Sequence, residues 1–169
     1  MTGSKCGNMT DDLYERDILE WSERQADALR RVAGDERHNN VDWSHVIEEI
    51  EAVGTAQLND VRGIVRQVMI ALVRIQLDPN SATRSDWTLE LGCLMDDAAD
   101  VFTPSMRDRI DMNRIWERIR VRTIQRATDD PRAVALPDHC PWTVEALLTG
   151  AHDALLAQLA GWPVAAETP

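Results

Sequence analysis

The sequence predicts an all-α protein, a single-domain helical bundle of about five helices around one long central helix. Three observations predict it. Apolar residues recur at steps of three and four through most of the chain. Proline, glycine and N-cap residues punctuate those stretches at helix-sized intervals. No segment sustains the period-two alternation with β-branched residues that marks a strand.

The elements follow in order. Residues 1–10 carry no periodic pattern and read as a disordered leader, residues 11–162 as the bundle, and residues 163–169 as a frayed tail. From about Asp12 to Val32, Tyr14, Ile18, Trp21, Ala28, Leu29 and Val32 make one apolar stripe, and Gly34 supplies the stop. The second helix has the clearest start. Asp42 is placed to accept from first-turn amides, with Val41 and Val46 at the positions of a hydrophobic staple.

The stripe of that helix continues through Ile47, Ile50, Gly54, Leu58, Val61, Val65, Val68, Leu72 and Ile75, and stops before Pro79. The expected length is about 36 residues, or roughly 54 Å. Gly54 and Gly63 weaken it, each by up to about 1 kcal/mol relative to alanine. Past Val61 it is apolar on more than one face, with Ile64, Met69, Ile70, Val73 and Leu77 added, so this half belongs at the centre of the fold.

A polar loop over Pro79–Arg84 precedes a third helix, about Asp86 to Val101, capped by Ser85. Thr103 followed by Pro104 reads as an N-cap and a first helical proline. They open a fourth helix to about Ala127, with Met106, Ile110, Ile115 and Ile119 inward. A connector from Asp129 to Pro141 leads to a last helix capped by Thr143, carrying Val144, Leu148, Ala151, Leu155, Leu159 and Trp162.

Composition bounds the function. A chain of 169 residues can bury roughly 70% of its unfolded surface in one domain. Cys6, Cys93 and Cys140 are odd in number with no CxxC spacing, which fits a reducing compartment and neither a disulfide framework nor a zinc knuckle. The first dozen residues lack the apolar run of a secretory signal. The longest apolar stretch, Ile64–Leu77, is broken by Arg66, Gln67, Arg74 and Gln76 and falls short of a membrane span. The chain therefore reads as soluble and cytoplasmic.

The net charge of −11 repels phosphate backbones, so nucleic acid is not an expected partner. One local exception stands out. Arg107, Arg109, Arg114, Arg118, Arg120, Arg122 and Arg126 supply seven of the eighteen basic residues within about one helix. Such a run is expected to be a solvated face paired with acids elsewhere; the alternative is a patch for an anionic partner.

The runs LYERDILEW (Leu13–Trp21), VDWSHVIEEIEAVG (Val41–Gly54), RSDW (Arg84–Trp87) and CPWTVEALL (Cys140–Leu148) occur in that order. Their order and spacing over residues 12–149 resemble the bacterial family catalogued as domain of unknown function twenty-nine. The resemblance implies an all-helical fold and marks Trp21, Glu48, Glu49, Glu51, Gly54, Trp87, Cys140 and Pro141 as motif positions. It carries no catalytic residue over. Two departures are visible. The family often has a His followed by Leu-Leu-Lys-Trp-Gln late in the long helix, where this chain reads ALVRIQ, Ala71–Gln76. The family pattern also usually ends near Leu148, whereas here an amphipathic helix continues to about Trp162.

No nucleotide-binding glycine loop, HExxH, GxSxG or CxxC motif is present, and His38, His45, His139 and His152 are scattered. No cofactor is expected. The remaining constellation is His45, Glu48, Glu49 and Glu51, whose spacings put side chains on adjoining faces. With Asp96, Asp97 and Asp100 alongside, these carboxylates would suit a metal-dependent hydrolase, although the chain has no Glu-x-x-His of the di-iron bundles. Otherwise the glutamates are acids favoured near a helix N-terminus, ion-pair partners or an acidic face.

His139 beside Cys140 invites a thiol-nucleophile reading, but adjacent residues rarely orient as nucleophile and base. A half-buried packing cysteine is expected instead. The six tryptophans are read as wedges between helices rather than stacking platforms. The leading expectation is a non-enzymatic interaction module that binds another protein or self-associates.

Overall fold

A computed structural model describes residues 11–34, 40–78, 80–127 and 130–160. Among the described residues the secondary structure is entirely helical. The helices are α1 (Asp11–Arg16), α2 (Ile18–Ala33), α3 (Trp43–Leu77), α4 (Arg84–Val101), α5 (Met112–Arg126), α6 (Pro131–Val134), α7 (Val144–Thr149) and α8 (His152–Ala160), with a 3₁₀ turn at Pro104–Arg109. The leader, Trp162 and the tail lie outside the described residues.

The chain divides into two compact units. The first holds the described residues up to Asp60 together with Phe102–Arg109; the second holds Val61–Val101 and the described residues from Ile110 onward.

In the first unit the expected single helix over 12–32 is two helices. Asp17 breaks it with a non-helical backbone (φ −154°, ψ 84°) and caps α2 by accepting from the Glu20 amide at 3.0 Å. The inward stripe also differs from expectation. Leu13, Leu19, Ser22 and Ala26 are buried, whereas Tyr14 and Val32 are exposed. The break at Asp17 resets the helical phase, so one period could not describe both pieces. Tyr14 instead meets the edge of Trp21, ring centroids 4.8 Å apart.

The first part of α3 begins where expected, with Asp42 Oδ1 accepting from the His45 amide at 3.4 Å. Val41 and Val46, the expected staple, remain substantially exposed. Gly54 has a different role from the weak point its type suggests. A Cβ there would stand 2.2 Å from Ser22 Oγ and 2.9 Å from Leu19 Cα, so the missing side chain lets α3 touch the backbone of α2. Only hydrogen fits at that contact.

In the second unit most of the apolar side chains on the rest of α3 are buried as expected, but Ile70, expected inward, is 38% exposed, and Ile64 and Leu77 are only half-buried. Val61, Val65, Val68, Met69, Leu72 and Ile75 have 0% exposure, and Ala71 and Val73 have 4%. Helix α4 starts at Arg84, two residues before the expected Asp86, and packs against α7. The fourth helix is shorter than expected. Pro104–Arg109 forms the 3₁₀ turn, and α5 starts at Met112 with Asp111 as its cap, accepting from the Arg114 amide at 2.9 Å. The Thr103 side chain, the expected cap, is engaged elsewhere.

The connector contains the one-turn α6, capped by Asp130. Beyond it, the expected last helix is broken at Gly150, where the backbone turns extended. A Cβ at Gly150 would lie 2.3 Å from the Ala146 carbonyl oxygen, so the turn between α7 and α8 requires glycine. Two tryptophans act as wedges. Trp116 and Trp142 are buried, meet edge to face at 5.4 Å, and donate their indole N–H groups to the carbonyls of Pro137 (2.8 Å) and Leu155 (3.3 Å).

Candidate functional site

The arginine run on α5 divides into two kinds of residue. Arg120 is half-buried and committed, with Nε donating to the Leu136 carbonyl at 3.2 Å and Nη2 lying 2.6 Å from Asp138. Arg109, in the first unit, is likewise engaged with Glu23 at 2.8 Å. This is the pairing with acids that the sequence led us to expect.

Arg118, Arg122 and Arg126 are the other kind. They stand at successive steps of four on α5 and line one cleft with Arg66, Ile70 and Val73 of α3 and with Ile119 and Thr123. The cleft has a volume of about 210 Å³. Val73 and Ile119 are buried, Ile70 is 38% exposed, and the four arginines are exposed. None of the four forms an ion pair or side-chain hydrogen bond with the described residues.

The local sequence accounts for this. Helix α5 carries five arginines and one acid, Glu117, and that acid is not three or four residues from Arg118, Arg122 or Arg126. Asp129 and Asp130 follow Arg126 at three and four residues; Asp129 lies outside the described residues, and Asp130 is held by Arg132 through two bonds of 3.0 and 2.9 Å. Like charges at steps of four disfavour a helix by roughly 0.2–0.5 kcal/mol per pair. Each of the four guanidiniums offers planar, charge-assisted donors beside the apolar side chains of the cleft.

The carboxylates singled out from the sequence do not form such a site. Glu48 and Glu49 are exposed, and Glu51 pairs with Arg30 at 2.6 Å. Asp96, Asp97 and Asp100 are exposed on α4. Among the described residues no three His, Cys, Asp or Glu side chains are grouped as a metal ion would need. His45 pairs with Asp42 at 2.5 Å, which raises the imidazole pKa above its ordinary value and lowers that of the carboxyl.

Cys140 is half-buried. Its thiol donates to the Trp142 carbonyl, its amide donates to Asn113 Oδ1 at 2.9 Å, and burial pushes its pKa up, away from a reactive thiolate. A second, open groove between α4 and α8 brings Cys93, Asp96 and His152 to one surface. No hydrogen bond links the three, so no nucleophile–base relay is assembled. Trp87 lies under the Arg74 guanidinium, 5.4 Å from the ring centre, and Arg74 also reaches Glu90 at 3.7 Å.

Sequence reasoning missed Asp17. Its carboxylate is buried and accepts from Thr103 Oγ1 (3.0 Å), the Ser105 amide (3.0 Å), Ser105 Oγ (2.6 Å) and the Glu20 amide. Burial alone would raise its pKa. The Ser105 hydroxyl, the two amides and the Thr103 hydroxyl outweigh burial and hold the carboxyl below its ordinary value. The only local signal was an aspartate placed to cap α2; its partners lie 86 and 88 residues away.

Fold and cleft together define an all-helical protein without an assembled catalytic constellation among the described residues. No described helix is long and apolar enough to cross a membrane. The chain belongs to the family described as Domain of unknown function DUF29, which matches residues 13–152. An α-helical protein of unknown function from Rhodospirillum rubrum, solved by crystallography, is 28% identical. The match covers 86% of this chain and 96% of that one, with a TM-score of 0.74. No curated protein matches the chain.

Proposed function

We propose that this chain is a non-enzymatic, cytoplasmic binding module whose recognition surface is the arginine-lined cleft and whose ligand is the anionic part of a protein. One observation carries the reading: Arg66, Arg118, Arg122 and Arg126 line one cleft with no acidic partner among the described residues, in a chain with 29 acids and 18 Lys and Arg. Stability alone would favour pairing those arginines or replacing them. A binding role explains why they are kept apart from the chain's own carboxylates. The net charge of −11 supports a protein ligand over a nucleic acid, because a long polyanion would be repelled wherever it left the cleft.

The test is an NMR titration with a short polyglutamate peptide, following arginine Nε–Hε resonances. The reading predicts saturable shifts at Arg66, Arg118, Arg122 and Arg126, weakened by salt. Shifts scattered over the surface, or none, would sink it.

A further inference from the structure

We infer that the occupant of the cleft is an acidic amphipathic α-helix of a partner protein, an inference that rests on the anion-binding reading above. Arg118, Arg122 and Arg126 occupy successive steps of four on α5, so they form a ladder with a rise of about 6 Å per step and about 12 Å end to end. A partner helix with Glu or Asp at steps of four has the same repeat. Each carboxylate can then meet one guanidinium without distorting either backbone. Arg66 supplies a further cation from α3.

The floor favours the same occupant. Ile70 and Ile119 line the same cleft as the arginines, and Ile70 is left 38% exposed. A helix carrying apolar residues beside its acidic stripe covers that surface, in the manner of helix-in-groove recognition. The volume of about 210 Å³ is below the roughly 300–1,000 Å³ of small-molecule pockets, and suits one or two side chains of a docked segment. No aromatic residue lines the cleft, so the stacking surface that single-stranded nucleic acids use is absent from it.

The experiment is fluorescence anisotropy on the full chain with a labelled helical peptide bearing Glu at steps of four and Leu on the adjoining face. Comparison probes are its scrambled isomer, a proline-interrupted version, a uridine 12-mer and inorganic polyphosphate. The patterned helix should bind at least tenfold more tightly than every other probe. Arg118→Gln with Arg122→Gln should weaken it at least tenfold with the melting temperature kept, and Ile70→Glu should weaken it independently of the arginines. Equal affinity for the patterned and scrambled peptides would overturn the helix while leaving an anion cleft. Tighter binding of the uridine 12-mer or polyphosphate would replace the occupant with a phosphate polymer. If no probe binds, this inference and the anion-binding reading fall together.

Discussion

Asp17 and the arginine ladder are two concentrations of charge treated in opposite ways. Around Asp17 the carboxylate accepts two hydroxyl and two amide donors, drawn from α2 and from the segment 103–105. On α5, Arg118, Arg122 and Arg126 stand at successive steps of four with no partner among the described residues. The first charge is buried and fully answered within the chain; the second group is exposed and answered by nothing described. A satisfied charge holds a fold together. A repeated unsatisfied charge weakens its own helix slightly, and the proposed ligand is what would answer it.

That contrast can be broken by substitution. Asp17→Ala should have the largest effect, because it removes the α2 cap and leaves the buried Thr103 hydroxyl and the Ser105 amide without their acceptor. A loss of about 3 kcal/mol is expected, read as a lower urea midpoint. Gly54→Ala in the same unit should follow. The added methyl would meet Ser22 Oγ and Leu19 Cα inside contact distance, and overpacking of about 2 kcal/mol exceeds the helix-propensity gain of at most about 1 kcal/mol. If Gly54→Ala were neutral, the close contact of α2 and α3 would be wrong.

Titration sharpens the comparison with smaller effects. The Asp17 pKa is depressed in the folded chain, so its contribution is present above the ordinary value of 3.8 and is lost as pH falls through the lower folded value. Acid unfolding of Asp17→Asn should therefore be less steep below that point. The His45 pKa is raised, so the pair with Asp42 contributes fully below 6.5 and is lost as pH rises through the folded value. An imidazole titration followed by NMR should give a midpoint above 6.5 that returns toward it in Asp42→Asn. A midpoint at or below 6.5 in the parent chain would remove that pair.

What could be read in advance follows the range of the interactions. The span of α3, its start at Asp42 and most of the buried stripe beyond Val61 depend on local periodicity and capping, and they stand as the sequence predicts, with Ile70 the exposed exception. So does the concentration of arginine on α5. The division at Asp17 and the engagement of Thr103 were hidden, because an 88-residue separation leaves no trace in local spacing. Gly54 was legible as a motif position but not as a point of helix contact, which depends on Ser22 and Leu19 arriving opposite it. The cleft itself was half legible. Arg66, Arg118 and Arg122 lack an acid three or four residues away, but only the fold brings α3 and α5 to one concave surface and reveals that Asp130 is committed to Arg132.

The central claim is that the ladder is held for a ligand and not for the fold, and one paired measurement tests it. Unfolding free energy and affinity for the patterned acidic helix are compared between the parent chain and the Arg118→Gln, Arg122→Gln, Arg126→Gln variant. Relief of three like-charge pairs (114–118, 118–122 and 122–126) should leave stability unchanged or raise it by up to about 1.5 kcal/mol, while affinity falls more than tenfold. A variant that is less stable by more than about 1 kcal/mol, or that binds as tightly as the parent, would contradict the account.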